Sequence, residues 1–218
     1  MNKDELIKAV ERVLGRLDPV YHTGANESDL YEAALLGISA NAAVAAGGTC
    51  MLTENGRARS SHVRFRRSPG NLWNGSFTYG LVSFPDTSAQ LEIHLGVYVV
   101  GVSGVPHECD VALLDHDEAQ RSRSGAVHPR RTGLIGSVEA KHYAASPGIG
   151  IGRGFLGLAS ELGTKKCSLA FPAKSSGPLS TLIARKSSEC FDEMIPGSPA
   201  AVRLRSHLDQ AIRNWLAG

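Results

Sequence analysis

Leu134-Ile-Gly-Ser-Val-Glu-Ala-Lys-His-Tyr143 decides how this chain is read. Its apolar start predicts a short buried strand that ends in Glu139-Ala140-Lys141. Strand side chains alternate between faces, so Glu139 and Lys141 share one face and Ala140 lies on the other. Burying an acid and an amine at the end of an apolar strand is costly unless each has a partner or a task. The run His107-Glu-Cys-Asp-Val-Ala-Leu-Leu-Asp115 has the same character and carries Glu108 and Asp110 on one face. If these two strands are neighbours, Asp110, Glu139 and Lys141 converge on one point.

Downstream, Gly148-Ile-Gly-Ile-Gly-Arg-Gly154 opens a helix whose stripe is Ile151, Phe155, Leu158 and Leu162, with Gly163 as its stop. A short apolar strand follows over 167–171. Residues 174–198 hold a short helix near 179–185 within irregular chain. Ser198-Pro199 starts a last helix with the stripe Val202, Leu204, Leu208, Ile212 and Trp215.

Upstream, Leu91, Ile93, Leu95, Val97 and Val99 alternate with Glu92, His94 and Tyr98, which predicts a half-buried strand over 91–100. Further strands are expected over Ser61–Arg67 and Ser76–Phe84. An Ala- and Leu-rich helix is expected over 29–46, capped by Asn26 or Ser28 and stopped by Gly47-Gly48. An amphipathic helix over 4–17 ends at Asp18-Pro19. Residues 22–29 and 116–133 read as polar loops. The order predicts an α/β fold, a mixed sheet flanked by helices. We expect one domain over 1–218 with a core at about 26–172, helix 4–17 and segment 174–218 being additions.

The chain has 218 residues, 42% hydrophobic and 20% charged, with a net charge of only +2. That is the composition of a soluble globular protein, and any nucleic-acid affinity must come from local basic clusters. Cys50, Cys109, Cys167 and Cys190 show no zinc-ligand or redox spacing and read as reduced thiols of a cytoplasmic protein. The N-terminal segment lacks a signal-peptide apolar core, and no stretch has membrane-spanning length, so no membrane partner is expected.

Two carboxylates brought close together need a proton or a cation between them. All-oxygen donors favour a hard divalent ion. Asp110, then Glu139-x-Lys141 about thirty residues on, with both motifs on strands, resembles the PD-(D/E)xK nuclease superfamily. The order of helix, three strands, helix and closing strand over about 26–172 agrees with that family's restriction-endonuclease-like core. Cys109 stands where many members have proline, and the nearest proline is Pro106.

The resemblance implies that Asp110 and Glu139 hold Mg²⁺, with Mn²⁺ as a substitute, and that Lys141 is the catalytic lysine. Glu32 takes the place of an acid that many members carry on the first core helix. Its plain reading is a solvated first-turn acid favoured by the helix dipole. The implied activity is endonucleolytic cleavage of DNA, in restriction or phage defence. A homodimer or larger assembly would supply two active sites, and a regulatory partner the trigger. The first or the last helix is the candidate interface.

Arg64 and Arg66 share a predicted strand face. Arg121, Arg123, Arg130 and Arg131 lie on the predicted loop between the two acid-bearing strands, and Arg153 lies at a helix start. These seven are the candidate DNA-backbone contacts, which give affinity and salt dependence but no sequence choice. Singly, such arginines are more often solvated charge. The alternative function is a catalytically inactive nucleic-acid-binding or assembly module on the same fold. A third reading, a small-molecule enzyme using the glycine-rich turn for a phosphorylated ligand, requires nothing of Asp110.

Overall fold

A helix over Glu27–Ala45 forms the middle layer of the protein. Two shorter helices precede it: Lys3–Leu14 (α1) and Pro19–Gly24 (α2). The long helix (α3) buries residues around much of its girth, from Leu30 to Ala43, as a helix does when it is covered on both sides. Its alanines let the sheet approach on one side and α1 on the other. Asn26 caps it, accepting from Asp29 N–H while the Asp29 carboxylate accepts from Asn26 N–H. The computed structural model describes residues 2–143, 145–186 and 188–218.

Seven strands form one mixed sheet in sequential order: Thr49–Thr53 (β1), Tyr79–Ser83 (β2), Gln90–Val100 (β3), Pro106–Asp115 (β4), Leu134–Ala140 (β5), Cys167–Ala170 (β6) and Glu189–Phe191 (β7). The first five pair antiparallel, and β5–β6–β7 pair parallel. Parallel neighbours need crossovers. These are supplied by helices Ile149–Leu162 (α5) and Gly177–Ala184 (α6), separated in the chain from α3 by the helix His116–Gly125 (α4). The last helix, Pro199–Leu216 (α7), starts at the Ser198 cap and packs with α1 and α3 over one face of the sheet. Helices α4, α5 and α6 pack on the other face along β3–β6.

The expected α/β class and mixed sheet are present. Several local expectations are not. The 4–17 helix ends at Leu14, and Gly15, with φ +90°, breaks it. Part of the predicted loop at 22–29 is helical, because Asp18 caps α2 by accepting from Val20 and Tyr21 N–H. Ser61–Arg67 is no strand: Val63 and Phe65 do point inward, but this segment joins the β-structure only through a bridge from Val63 to Leu17. The 116–133 segment is not a flexible loop but contains α4. Its sequence has no apolar stripe, and the helix is held by the Asp115 cap and by ion pairs.

The segments expected as additions belong to the core. β7 extends the sheet, and Leu208 and Ile212 of α7 are buried in the same cluster as α1 and α3. The Leu208/Ile212 stripe is therefore internal and not free for a subunit interface. Val202 is the exception in that stripe, at 51% exposed. None of the helices among the described residues is long and apolar enough to cross a membrane.

Candidate active site

Strand β3 does not keep one face. Leu91, Ile93 and Leu95 enter the core beneath α3, whereas Val97 and Val99 enter the core beneath α5. The switch lies at Gly96, whose φ of +56° is a conformation that side chains with a Cβ rarely adopt. Register pairs Leu95 with Val111 and Val97 with Cys109, so Gly96 falls opposite Asp110. Strand β4 switches at the same level: Val111 and Leu113 face α3, and Cys109 faces α5.

Here β4 and β5 part. Their last register pair is Val111 with Val138. In the gap, the Asp110 carboxylate stands in for a strand, as Oδ2 accepts from Ala140 N–H at 2.7 Å. On its other side β5 continues along β6, with Lys141 N–H donating to Ala170 O at 2.9 Å. Lys141 is thereby held over the gap. Its Nζ lies 2.7 Å from Glu139 Oε1 and 3.5 Å from Asp110 Oδ2. The Lys141 side chain keeps 25% of its surface in solvent, so the cluster opens outward on one side.

The three side chains singled out from the sequence thus meet. Burial alone would lower the Lys141 pKa, but the Asp110 and Glu139 carboxylates beside it outweigh this and hold it above the usual lysine range. Burial and the neighbouring Asp110 push Glu139 up, against the opposing pull of Lys141. Burial and Asp110 likewise raise Glu108 at the rim. Glu32 of α3 feels the same field: burial first, then Asp110, Asp29 and Glu108, push its carboxyl up to about 9. It is not the solvated first-turn acid of the plain sequence reading.

Four carboxyl groups, those of Glu32, Glu108, Asp110 and Glu139, lie in one another's field here, with the single ammonium of Lys141 among them. Oxygen donors of this kind suit a hard divalent cation. The Lys141 ammonium already stands between Asp110 and Glu139. Among the described residues no three His, Cys, Asp or Glu side chains gather into a metal-binding group, so Glu32 does not join the other two as a third ligand. Mg²⁺ commonly takes one or two carboxylates and completes its shell with water and substrate phosphate.

The Glu32 shift has a measurable consequence. A carboxyl whose folded pKa is raised binds a proton in the folded state that the unfolded chain releases. Its contribution is intact below the ordinary glutamate range and is lost as pH rises toward about 9. Glu32→Gln should therefore flatten this fall. Relative to the variant, the native chain should lose about 4 kcal/mol between about pH 5 and about pH 8, read by denaturant unfolding with a chelator present. Parallel pH profiles for the two chains would show that Glu32 is ionised when folded.

The arginines named from the sequence are spread over the molecule, and most are engaged. Arg64 donates to Ser76 O, and Arg66 donates to Asn71 O and Asn74 O. Arg121 and Arg130 both pair with Glu118. Arg123 forms a two-pronged pair with Glu92. Arg131 and Arg153 are exposed, and among the described residues neither guanidinium has an acidic partner. Gly148, the N-cap of α5, is capped by no side chain, and Gly150 and Gly154 have open space around them.

One polar cluster had no counterpart in the sequence reading. Glu92 is fully buried although it sits on the supposedly solvated face of β3. His94 Nε2 and His116 Nδ1 each lie 2.7 Å from its carboxylate, and Arg123 pairs with it as well. Burial would raise the Glu92 pKa, but these three partners hold it far below the carboxylate range. The only signal in the sequence was Glu and His two apart in a long strand, which a wet strand face produces equally well.

The chain matches no protein-family model, no curated protein and no solved structure.

Proposed function

We propose that the protein is a metal-dependent endonuclease that hydrolyses phosphodiester bonds in DNA, built on a restriction-endonuclease-like core of the PD-(D/E)xK type. The observation that carries this reading is the meeting of Asp110, Glu139 and Lys141 where β4 and β5 separate, with Nζ within 3.5 Å of both carboxylates. The element order supports it too. A core helix is followed by an antiparallel run β3–β4–β5 with the acids on its second and third strands, then by a crossover helix and a parallel strand.

Asp110 and Glu139 would hold Mg²⁺ or Mn²⁺, which would supply charge neutralisation at the phosphate and a more acidic bound water. Lys141, fixed by two carboxylates and kept protonated by them, orients a water or a phosphate oxygen by hydrogen bonding. Glu32, neutral at pH 7, can donate a proton to the cluster. Arg131 and Arg153, exposed and without an acidic partner among the described residues, are the two of the seven arginines left available to meet phosphates. Cutting both strands takes two such sites, hence a homodimer or larger assembly in the cytoplasm, in restriction or phage defence, under the control of a partner or of assembly itself.

The test is cleavage of supercoiled plasmid by the purified chain with Mg²⁺ or Mn²⁺. Cleavage should be lost on chelation. Lys141→Ala should slow it about 100-fold, the scale of one positioned donor at developing charge. One observation favours the alternative of a non-catalytic nucleic-acid-binding module. Lys141 lies against both would-be ligands, and no three-ligand group is present among the described residues. Salt-dependent DNA binding with no cleavage in either metal would establish that reading.

A further inference from the structure

We infer that the hollow between β2, β3, α4 and the segment 54–77 is a binding site for a phosphorylated ligand with a planar ring, of the nucleotide class. This half of the sheet has α3 on one face and no helix squarely on the other. Chain 54–77 and α4 roof it and leave a cavity of about 500 Å³. That volume suits a small-molecule ligand. Asp110, Glu139 and Lys141 do not line it, so the inference stands apart from the cleavage reading.

Its floor is rigid and charged. Glu92, beneath the cavity, locks His94, His116 and Arg123 in place. The locked groups cover the carboxylate and line the hollow. Arg57 and Arg66 line it as well. Three guanidiniums and the His116 imidazole, whose pKa is raised by its bond to Glu92, therefore outweigh the acids Glu92 and Glu54. A guanidinium matches phosphate oxygens two at a time, and with Arg123 committed to Glu92 and Arg66 to the Asn71 and Asn74 carbonyls, Arg57 is the fork that can meet an anion of that kind. Among the described residues the Arg57 guanidinium has no acidic partner, which leaves it available.

The planar groups argue for a ring on the same ligand. Tyr79 stacks on His94 with ring centroids 4.7 Å apart and planes 19° apart. Arg123 lies over the Tyr79 ring at 5.5 Å, and Arg66 over the Phe77 ring at 4.3 Å. Layers of aromatic rings and guanidiniums accept one further ring of any base. Gln120, exposed on α4 at the mouth, contacts His116 Nε2 through its amide nitrogen and accepts from Arg123 Nε, which helps hold both groups against the cavity.

The experiment is calorimetric titration of the full chain with the four nucleoside monophosphates, with inorganic phosphate and with a 5′-phosphorylated oligonucleotide. A mononucleotide should bind at least about tenfold more tightly than inorganic phosphate. Arg57→Ala should weaken it about tenfold or more, the scale of a lost charge-assisted hydrogen bond. Gln120→Ala should weaken it less, and Asp110→Asn should leave it unchanged. Binding of the oligonucleotide alone, weakened by Arg57→Ala, assigns the same chemistry to a strand end. The inference is overturned by binding of neither, by affinity indifferent to both Arg57→Ala and Gln120→Ala, or by inorganic phosphate binding as tightly as the nucleotides.

Discussion

Asp110→Asn is expected to leave the fold standing and to cut metal-dependent DNA cleavage about 1,000-fold, the loss of several kcal/mol of transition-state stabilisation. The substitution is chosen for what it preserves. Oδ2 of Asp110 accepts from Ala140 N–H at 2.7 Å and faces Lys141 Nζ at 3.5 Å. An asparagine with its oxygen in that place keeps both contacts. Its amide nitrogen then replaces the other carboxylate oxygen, which removes the charge and one metal ligand. Asp110→Ala would be less informative, because it strands the Ala140 N–H in a buried gap and would destabilise the splay itself.

Stability should hardly fall in the asparagine variant. The Asp110 charge raises both Glu32 and Glu139, so its removal relieves repulsion in the cluster. The paired readout is a thermal melt and a cleavage time course in Mg²⁺ and in Mn²⁺. Unchanged cleavage with an unchanged melt would sink the metal-ligand role of Asp110.

The second large effect concerns stability. Glu92→Ala should cost about 3–5 kcal/mol at pH 7, the usual penalty for breaking a buried ion pair by deleting one partner. The carboxylate is fully buried and bonded to three groups, and its removal leaves Arg123 facing a void with no counter-charge. The same group sets the acid limb of stability. Its folded pKa is depressed, so its contribution is complete above the ordinary glutamate range near pH 4.5. That contribution is then lost as pH falls toward the folded pKa. Native chain and variant should therefore converge in stability on acidification, as read by denaturant titration at several pH values. A constant difference across that range would mean that the Glu92 charge carries no net stabilisation.

The elements that could be read in advance were those with a local cause. The Asn26 and Ser198 caps, the glycine stop after α5 and the apolar run that opens β5 act over a few residues, and each is present. α4 was hidden because only Ala119 and two polar residues, Glu118 and Ser122, face inward. β7 was hidden because three residues are too few to show a period. Both elements owe their existence to partners distant in the chain: Glu92 for Arg123, and β6 for β7.

The candidate site divides in the same way. Spacing alone brought Asp110, Glu139 and Lys141 together as a hypothesis, because strand alternation is a local rule. That Glu32 lies in the same field, and that most of the chosen arginines are occupied, depended on packing. Guanidiniums at 121, 123 and 130 look identical in a sequence whether they face phosphate or Glu118 and Glu92.

By itself the sequence determined the α/β class, the caps that start the helices, and the alternation that sets Glu139 and Lys141 on one side of β5. These follow from rotations of 100° or 180° per residue and need no distant partner. Only the tertiary structure decided which strand faces are dry, where β4 and β5 part, and that Glu92 is buried. Those outcomes depend on what covers each face, and a carboxylate's desolvation is set by neighbours tens of residues away.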